Sequence, residues 1–292
     1  MNIQWFPGHM AKTRRILSEN LKLVDVVVEL LDARIPASSK NPEIDGIIRN
    51  KPRVLVLNKS DLADDTITKE WQNWYGTKGT VAVPVNSIAG KGLKNLVDSI
   101  KYSVADKFER DRQKGRIFRP VRIMVVGIPN VGKSTLVNKI AGKAVAITGD
   151  RPGVTRGKQW IRLNPGIEML DTPGILSPKL NNAETALNLA FTGAIRDEVI
   201  DVENVAASLA ERLSSSYREM FKNRYKLQCT DGLDGLKLLE LAGKNRGCIL
   251  PGGNIDIRRI AVILLDEFRG GKIGRISLEK PAWNEEKKID EE

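Results

Sequence analysis

Three stretches near the amino end, "VDVVVELLDAR" (24–34), "PRVLVLNKSD" (52–61) and "VAVPVNS" (81–87), are continuous apolar runs rather than alternations of apolar and polar positions. Runs of this kind predict parallel strands buried on both faces, with helices covering each side. Helical spacing fills the intervals near 43–50 and 66–75, and "GLKNLVDSIKYSVADKFER" (92–110) reads as one helix behind the third strand. After a basic stretch the strand pattern resumes with "RIMVVG" (122–127), "KQWIRL" (158–163) and "IEMLDTPG" (167–174). Three strands precede that stretch and three follow it. Six strands with their crossover helices make one doubly wound, mostly parallel α/β sheet, whereas three make half of one.

Beyond about residue 178 the pattern is helical alone. "NAETALNLAFTGAIRDEV", "DVENVAASLAERLSSSYREMF", "GLKLLELAGK" and "NIDIRRIAVILLDEFRGG" each carry apolar residues at helical spacing. Asn254 is the predicted cap of the last, with Gly270 at its exit. The end, "NEEKKIDEE", is polar throughout and predicts a frayed tail. Two domains follow: an α/β domain over 1–177 with an amino-terminal extension, and a small all-helical domain over 178–292.

Composition changes this picture in two ways. The longest apolar run, "IAVILL" (260–265), is far short of the roughly 20 residues that span a bilayer, and the first twenty residues hold no secretory stretch. Two cysteines are too few for a disulfide framework or a zinc site, so a reduced, cytoplasmic protein is expected. The net charge of +11 is unevenly placed: residues 1–177 hold 29 Lys and Arg against 17 Asp and Glu, and the remainder 18 against 19. "KFERDRQKGRIFRPVR" (107–122) alone carries seven basic and two acidic residues. Such a field favours a polyanionic partner, RNA being the commonest for a basic soluble protein; a merely solvated face is the alternative.

The chemistry lies in four short motifs. Gly127-x-x-x-x-Gly132-Lys133-Ser134 stands between a strand and a helix, the context a phosphate-binding loop requires. Its glycines let the backbone N–H groups of the loop, through Asn130, Val131, Gly132 and on to Thr135, wrap the phosphates at a helix N-terminus. Lys133 would neutralise the β- and γ-phosphates, and Ser134 would bind Mg²⁺. "DTPG" (171–174) closes a strand, where Asp171 can orient the metal's water and the Gly174 N–H can meet the γ-phosphate; Thr155 of "DRPGVT" can close over Mg²⁺. Asn58-Lys59-Ser60-Asp61 also ends a strand, where ligands bind in open α/β sheets. The Asp61 carboxylate can accept from guanine N1–H and N2–H₂ together, the stem of Lys59 can lie across the ring, and Asn58 can tie the loop to the base. Asn86 and Ser87 follow the next strand at the right remove to close over the guanine.

The order is unusual, because the base-reading motif precedes the phosphate loop by about seventy residues. Here the chain resembles the circularly permuted GTPases, in their ribosome biogenesis GTPase A branch. The resemblance rests on this motif order, on "WFPGHMAKTRR", on "DARIP" (32–36), on "GIPNVGKST" and on the helical tail. It covers essentially the whole chain. It implies GTP hydrolysis in late assembly of the large (50S) bacterial ribosomal subunit or its precursor, with rRNA as partner and neither membrane nor DNA. Permutation makes "DTPGIL" the last piece of the GTPase domain, so a switch there can pass its motion directly to the helical domain.

Hydrolysis has a gap, since Ile175 stands where many GTPases place a water-orienting glutamine. The resemblance suggests that His9, the one histidine, faces the nucleotide or the ribosome. Its imidazole can orient water, and the alternatives are packing of the N-terminal segment or docking on an rRNA phosphate. Asn130 looks like the asparagine with which potassium-activated GTPases hold K⁺, the alternative being an ordinary loop residue. A second class of function remains open beside the GTPase: an RNA-binding protein that keeps GTP as a structural ligand with negligible turnover.

Overall fold

The computed structural model describes residues 15–48, 51–116, 119–142, 160–170 and 182–282. Two compact units divide the chain. The first holds residues up to Asp61, Asp65–Lys179 and the segment from Glu279 onward; the second holds Leu62–Asp64 and Leu180–Leu278.

In the first unit a helix over 15–21 (α1) leads into β1 (Val26–Asp32), followed by α2 (Pro42–Ile48), β2 (Arg53–Asn58), α3 (Asp65–Thr77), β3 (Val81–Val85), α4 (Leu93–Tyr102) and α5 (Ala105–Gln113). Then come β4 (Val121–Gly127), α6 (Lys133–Ala141), β5 (Trp160–Asn164) and β6 (Ile167–Leu170). The six strands form one sheet in the order β3-β2-β1-β4-β6-β5, parallel except for the β5–β6 pair. All seven residues of β1 are buried, as a strand flanked by β2 and β4 and covered on both faces must be. The two sequence halves meet where β1 pairs with β4, Val28 opposite Val125. Strand order reverses at that seam, and the carboxyl ends of β1, β2, β3 and β4 all open on the same edge. That is where an open α/β sheet binds its ligand.

The helix expected over 92–110 is two helices. Ser103 Oγ donates to the Ile100 carbonyl at 2.8 Å, and the β-branched Val104 is buried at the break. Local side-chain bonding by serine and burial of Val104 outweigh continuation of the helix. α5 buries none of its residues. The basic stretch 107–122 is therefore helical over its first seven residues, as far as Gln113.

One buried acid interrupts the apolar run of β1. Glu29 is 1% exposed, with Arg53 Nη1 at 3.3 Å from Oε2. Burial outweighs the charges of Arg53 and Lys40 and raises its carboxyl to about 7. An acid whose pKa is raised in the folded state keeps a proton that the unfolded chain gives up. Stability should therefore fall as pH rises from the ordinary 4.5 to about 7, by about 3 kcal/mol in all. Glu29→Gln, which cannot ionise, should flatten that slope. Urea denaturation of both proteins at about pH 5 and about pH 8 checks this, and parallel pH dependences would contradict it.

The second unit contains α7 (Ala183–Phe191), α8 (Val202–Ser216), α9 (Arg218–Tyr225), α10 (Gly235–Asn245) and α11 (Ile257–Arg269). Its core gathers Leu209, Leu213, Phe221, Leu238 and Leu264. The helix expected from 201 to 221 breaks at Tyr217, after three consecutive serines of modest helix propensity. The cap of α11 is Asp256, which accepts from Arg259 N at 2.9 Å; the expected Asn254 instead sits in a hairpin, its carbonyl bonded by Leu250 N. Gly270 does end that helix. Among the described residues no helix is long and apolar enough to cross a membrane, and both cysteines are free.

Candidate functional site

The site is built where the carboxyl ends of the parallel strands meet. β4 runs into the loop 127–132, and α6 begins at Lys133. Gly127 and Gly132 take φ +155° and +98°. An added Cβ would stand 2.8 Å from the Leu30 carbonyl oxygen at Gly127 and 2.4 Å from Asn58 Nδ2 at Gly132, so both the turn and the packing require glycine. Asn130, exposed, also has a positive φ of 57°, with Val131 buried behind it. Successive N–H groups in such a loop, continued by the first turn of α6 through Ser134 and Thr135, form a concavity suited to an anion. Lys133 lies along the same loop, its Nζ donating to the Gly127 carbonyl at 2.9 Å and the Ile128 carbonyl at 2.7 Å.

The segment Asn58–Asp61, expected from the sequence to read a base, reaches this loop through Asn58. Its Nδ2 donates to the Val131 carbonyl at 2.7 Å, and its Oδ1 accepts from Ser87 Oγ at 2.6 Å. One buried amide thus joins the ends of β2, β3 and β4, uniting segments 73 residues apart. Lys59 takes φ +57°, which turns the chain outward, and Ser60 N donates to the Val85 carbonyl at 3.2 Å. Asp61 follows on an exposed face, its carboxylate accessible to a ligand. Asn86 shapes its own loop: Oδ1 accepts from Ile88 N at 3.0 Å and Ala89 N at 2.9 Å, an Asx turn. Asn86 and Ser87 therefore act on the loop and on Asn58. His9, Thr155, Asp171, Gly174 and Ile175 lie outside the described residues.

Two residues that carried no chemical assignment in the sequence complete the wall. Asp32, the last residue of β1, accepts from Arg34 Nε at 2.9 Å and Arg34 Nη2 at 2.8 Å, and pairs with Lys59 Nζ at 3.1 Å. Burial opposes ionisation of Asp32, but the charges of Arg34 and Lys59 outweigh it and hold the carboxyl well below the usual range. Arg34 itself is 1% exposed. The signal available in the sequence was the Asp-x-Arg spacing at the end of an apolar strand.

Residues 122–228 match the family described as a 50S ribosome-binding GTPase, beginning inside β4, the strand that enters the loop. The chain is 49% identical to the Ribosome biogenesis GTPase A of Bacillus cereus, over 96% of this chain and 95% of the relative. It is 33% identical to Mitochondrial ribosome-associated GTPase 1 of Mus musculus, over 95% and 90%. The crystal structure of GNP-bound YlqF from T. maritima is similar with a TM-score of 0.65 and 28% identity, covering 92% of this chain and 98% of that one. With the reversed motif order folded into one sheet and one site, the chain belongs to the ribosome biogenesis GTPase A family of GTP-binding proteins.

Proposed function

We propose that this protein hydrolyses GTP to GDP and phosphate as a cytoplasmic assembly factor in late maturation of the large (50S) ribosomal subunit, binding its rRNA. The observation that supports this most is the Asn58 bridge, which brings a guanine-reading motif and a phosphate loop into one pocket wall. Asp61 would select guanine, Lys59 would lie over the ring, and the loop from Asn130 to Thr135 would hold the phosphates with Lys133 neutralising charge that develops on them. The Ser134 hydroxyl, in the first turn of α6, is an oxygen donor of the kind Mg²⁺ takes, with Thr155 and Asp171 as its proposed companions. When bound, Mg²⁺ supplies charge neutralisation between the phosphates. K⁺ at Asn130 and water orientation by His9 belong to the same proposal, as does a γ-phosphate contact from the Gly174 N–H.

The basic surface is narrower than its sequence implies. Lys107 Nζ and Arg119 Nη1 bind Asp25 at 2.6 and 2.7 Å, so these two cations secure α5 and the start of β4. Burial opposes ionisation of Asp25, and hydrogen bonds from Arg119 and Lys107 overcome it. Arg110, Arg112, Lys114 and Arg116 lie on the exposed face as the candidates for rRNA phosphates, although Arg112 and Arg116 also pair with Glu109 at 3.0 Å and Asp111 at 2.6 Å.

GTP turnover measured with and without large subunits tests the reading. Slow turnover alone and marked stimulation by the subunit are expected, since docking can supply the order that Ile175 does not. Negligible turnover in both conditions would instead favour GTP as a structural ligand. Neutralising Arg110, Arg112, Lys114 and Arg116 together should make subunit binding less salt-dependent, lowering the slope by up to about 4. An unaltered slope would remove this face from the interface.

A further inference from the structure

The loop after β1, "ARIPASSK" (33–40), has no part in the nucleotide chemistry assigned so far, yet it is held at both ends with unusual completeness. At its start, Arg34 grips the Asp32 carboxylate through Nε and Nη2, and its backbone N–H reaches the same carboxylate at 3.1 Å. A planar guanidinium bound in this forked way fixes the orientation of the carboxylate as well as its charge. Among the described residues Asp32 also pairs with Lys59, at 3.1 Å. The position of the Lys59 ammonium is therefore set by a buried acid that is itself set by the loop. Further along, Asp32 N donates to Ser39 Oγ at 3.0 Å, and Ser39 Oγ donates to the Ile35 carbonyl at 2.7 Å.

At its far side the loop presents successive backbone N–H groups that converge on one carboxylate from 242 residues away. Ala37 N donates to Glu279 Oε2 at 2.7 Å, Ser38 N donates to both oxygens at 3.1 and 3.2 Å, and Ser38 Oγ donates to Oε1. Glu279 opens the strap that follows the helical unit in sequence and lies with the α/β unit. The strap is pinned to α3: Trp71 Nε1 donates to the Glu279 carbonyl at 3.1 Å, and Trp74 Nε1 to the Ala282 carbonyl at 3.3 Å. A plain stabilising tether needs no such anion nest. Here a charge-assisted set of donors ties the strap to the loop whose Arg34 grips the acid facing Lys59.

We infer that Glu279 is a positioning residue for the base site: by locking the loop 33–40 it holds Arg34 and Asp32 so that Asp32 keeps Lys59 where its stem can cover the guanine ring. This rests on the proposed role of Lys59 toward guanine. Because the strap acts on the base and not on the phosphates, its loss should weaken GDP and GTP alike. Because it acts through Lys59, that loss should vanish when Lys59 has no ammonium to position. A merely structural strap would lower stability without either selectivity.

The test is titration calorimetry of GDP and of a non-hydrolysed GTP analogue with the full-length protein, for the native chain, Glu279→Gln, Lys59→Met and the pair together. Glu279→Gln places an amide against N–H donors and should weaken both nucleotides by about 5- to 20-fold, with their ratio unchanged. In the Lys59→Met background the same change should cost no more than about twofold. Native affinity in Glu279→Gln, or losses that multiply fully in the double variant, would overturn the inference. Should Glu279→Gln not fold, Ser38→Ala removes one of the same bonds, with a loss of about two- to fivefold expected and again absent without Lys59. Equal binding of ATP and GTP by the native chain would defeat the guanine reading itself, whereas guanine preference with an indifferent Glu279 would defeat the strap alone.

Discussion

Asp61→Asn will move the base preference of this protein from guanine to xanthine. Asp61 stands on an exposed face two residues after the αL position at Lys59, in the wall that Asn58 ties to the phosphate loop. A carboxylate there accepts from the two adjacent donors of guanine. The amide of asparagine brings a donor to a position where only an acceptor matches, and xanthine, with oxygen at C2, supplies the acceptor. Sites that recognise a ligand by buried polar pairing reject the mismatched ligand by a factor of about 10³ or more. GTP affinity should fall by that order and XTP affinity should rise in competition binding against a labelled nucleotide. Unchanged GTP affinity in the variant would show that Asp61 does not read the base, and the pocket wall would need another guanine donor pair partner.

How much of this was legible in the sequence depends on whether a feature is local. β1, β2 and β4 could be read because a strand buried on both faces must be apolar throughout, and the phosphate loop because glycine spacing between a strand and a helix leaves few other uses. The six-stranded, mostly parallel sheet followed from these. Helix breaks were not legible: Val104 and Tyr217 both fit a helical pattern, and only the side chains around them decide that the chain turns. The cap of α11 failed for a related reason, since Asn254 and Asp256 are equally good caps and the hairpin that claims Asn254 depends on a bridge between Ile249 and Ile255. Asp32 and Arg34 read as two charges at a turn. Their burial is set by Lys59 and the loop at 33–40, which no spacing rule connects. Likewise "KFERDRQKGR" reads as uniform positive charge, although Asp25, more than eighty residues earlier, takes up Lys107.

The largest remaining effect concerns the joint between the two halves of the permuted site. Asn58 is 2% exposed, and its amide satisfies Ser87 Oγ on one side and the Val131 carbonyl on the other. Asn58→Ala leaves both without that partner in a buried wall, at about 1–3 kcal/mol each, and frees the phosphate loop from the base loop. Guanine-nucleotide affinity should drop by about 10²- to 10³-fold, with ordinary circular dichroism showing that the sheet remains. Gly132→Ala attacks the same joint from the other side. Its Cβ would come 2.4 Å from Asn58 Nδ2, at a φ of +98° that alanine rarely adopts. Two costs are then superimposed, a collision with Asn58 and backbone strain. Combining the substitutions separates them, because Asn58→Ala removes the atom that collides while the strain at residue 132 persists. The double variant should therefore bind nucleotide more tightly than the product of the two single losses implies. Strict multiplication of the losses would show that the loops do not communicate through Asn58, and that the base and phosphate sites are joined only by the sheet beneath them.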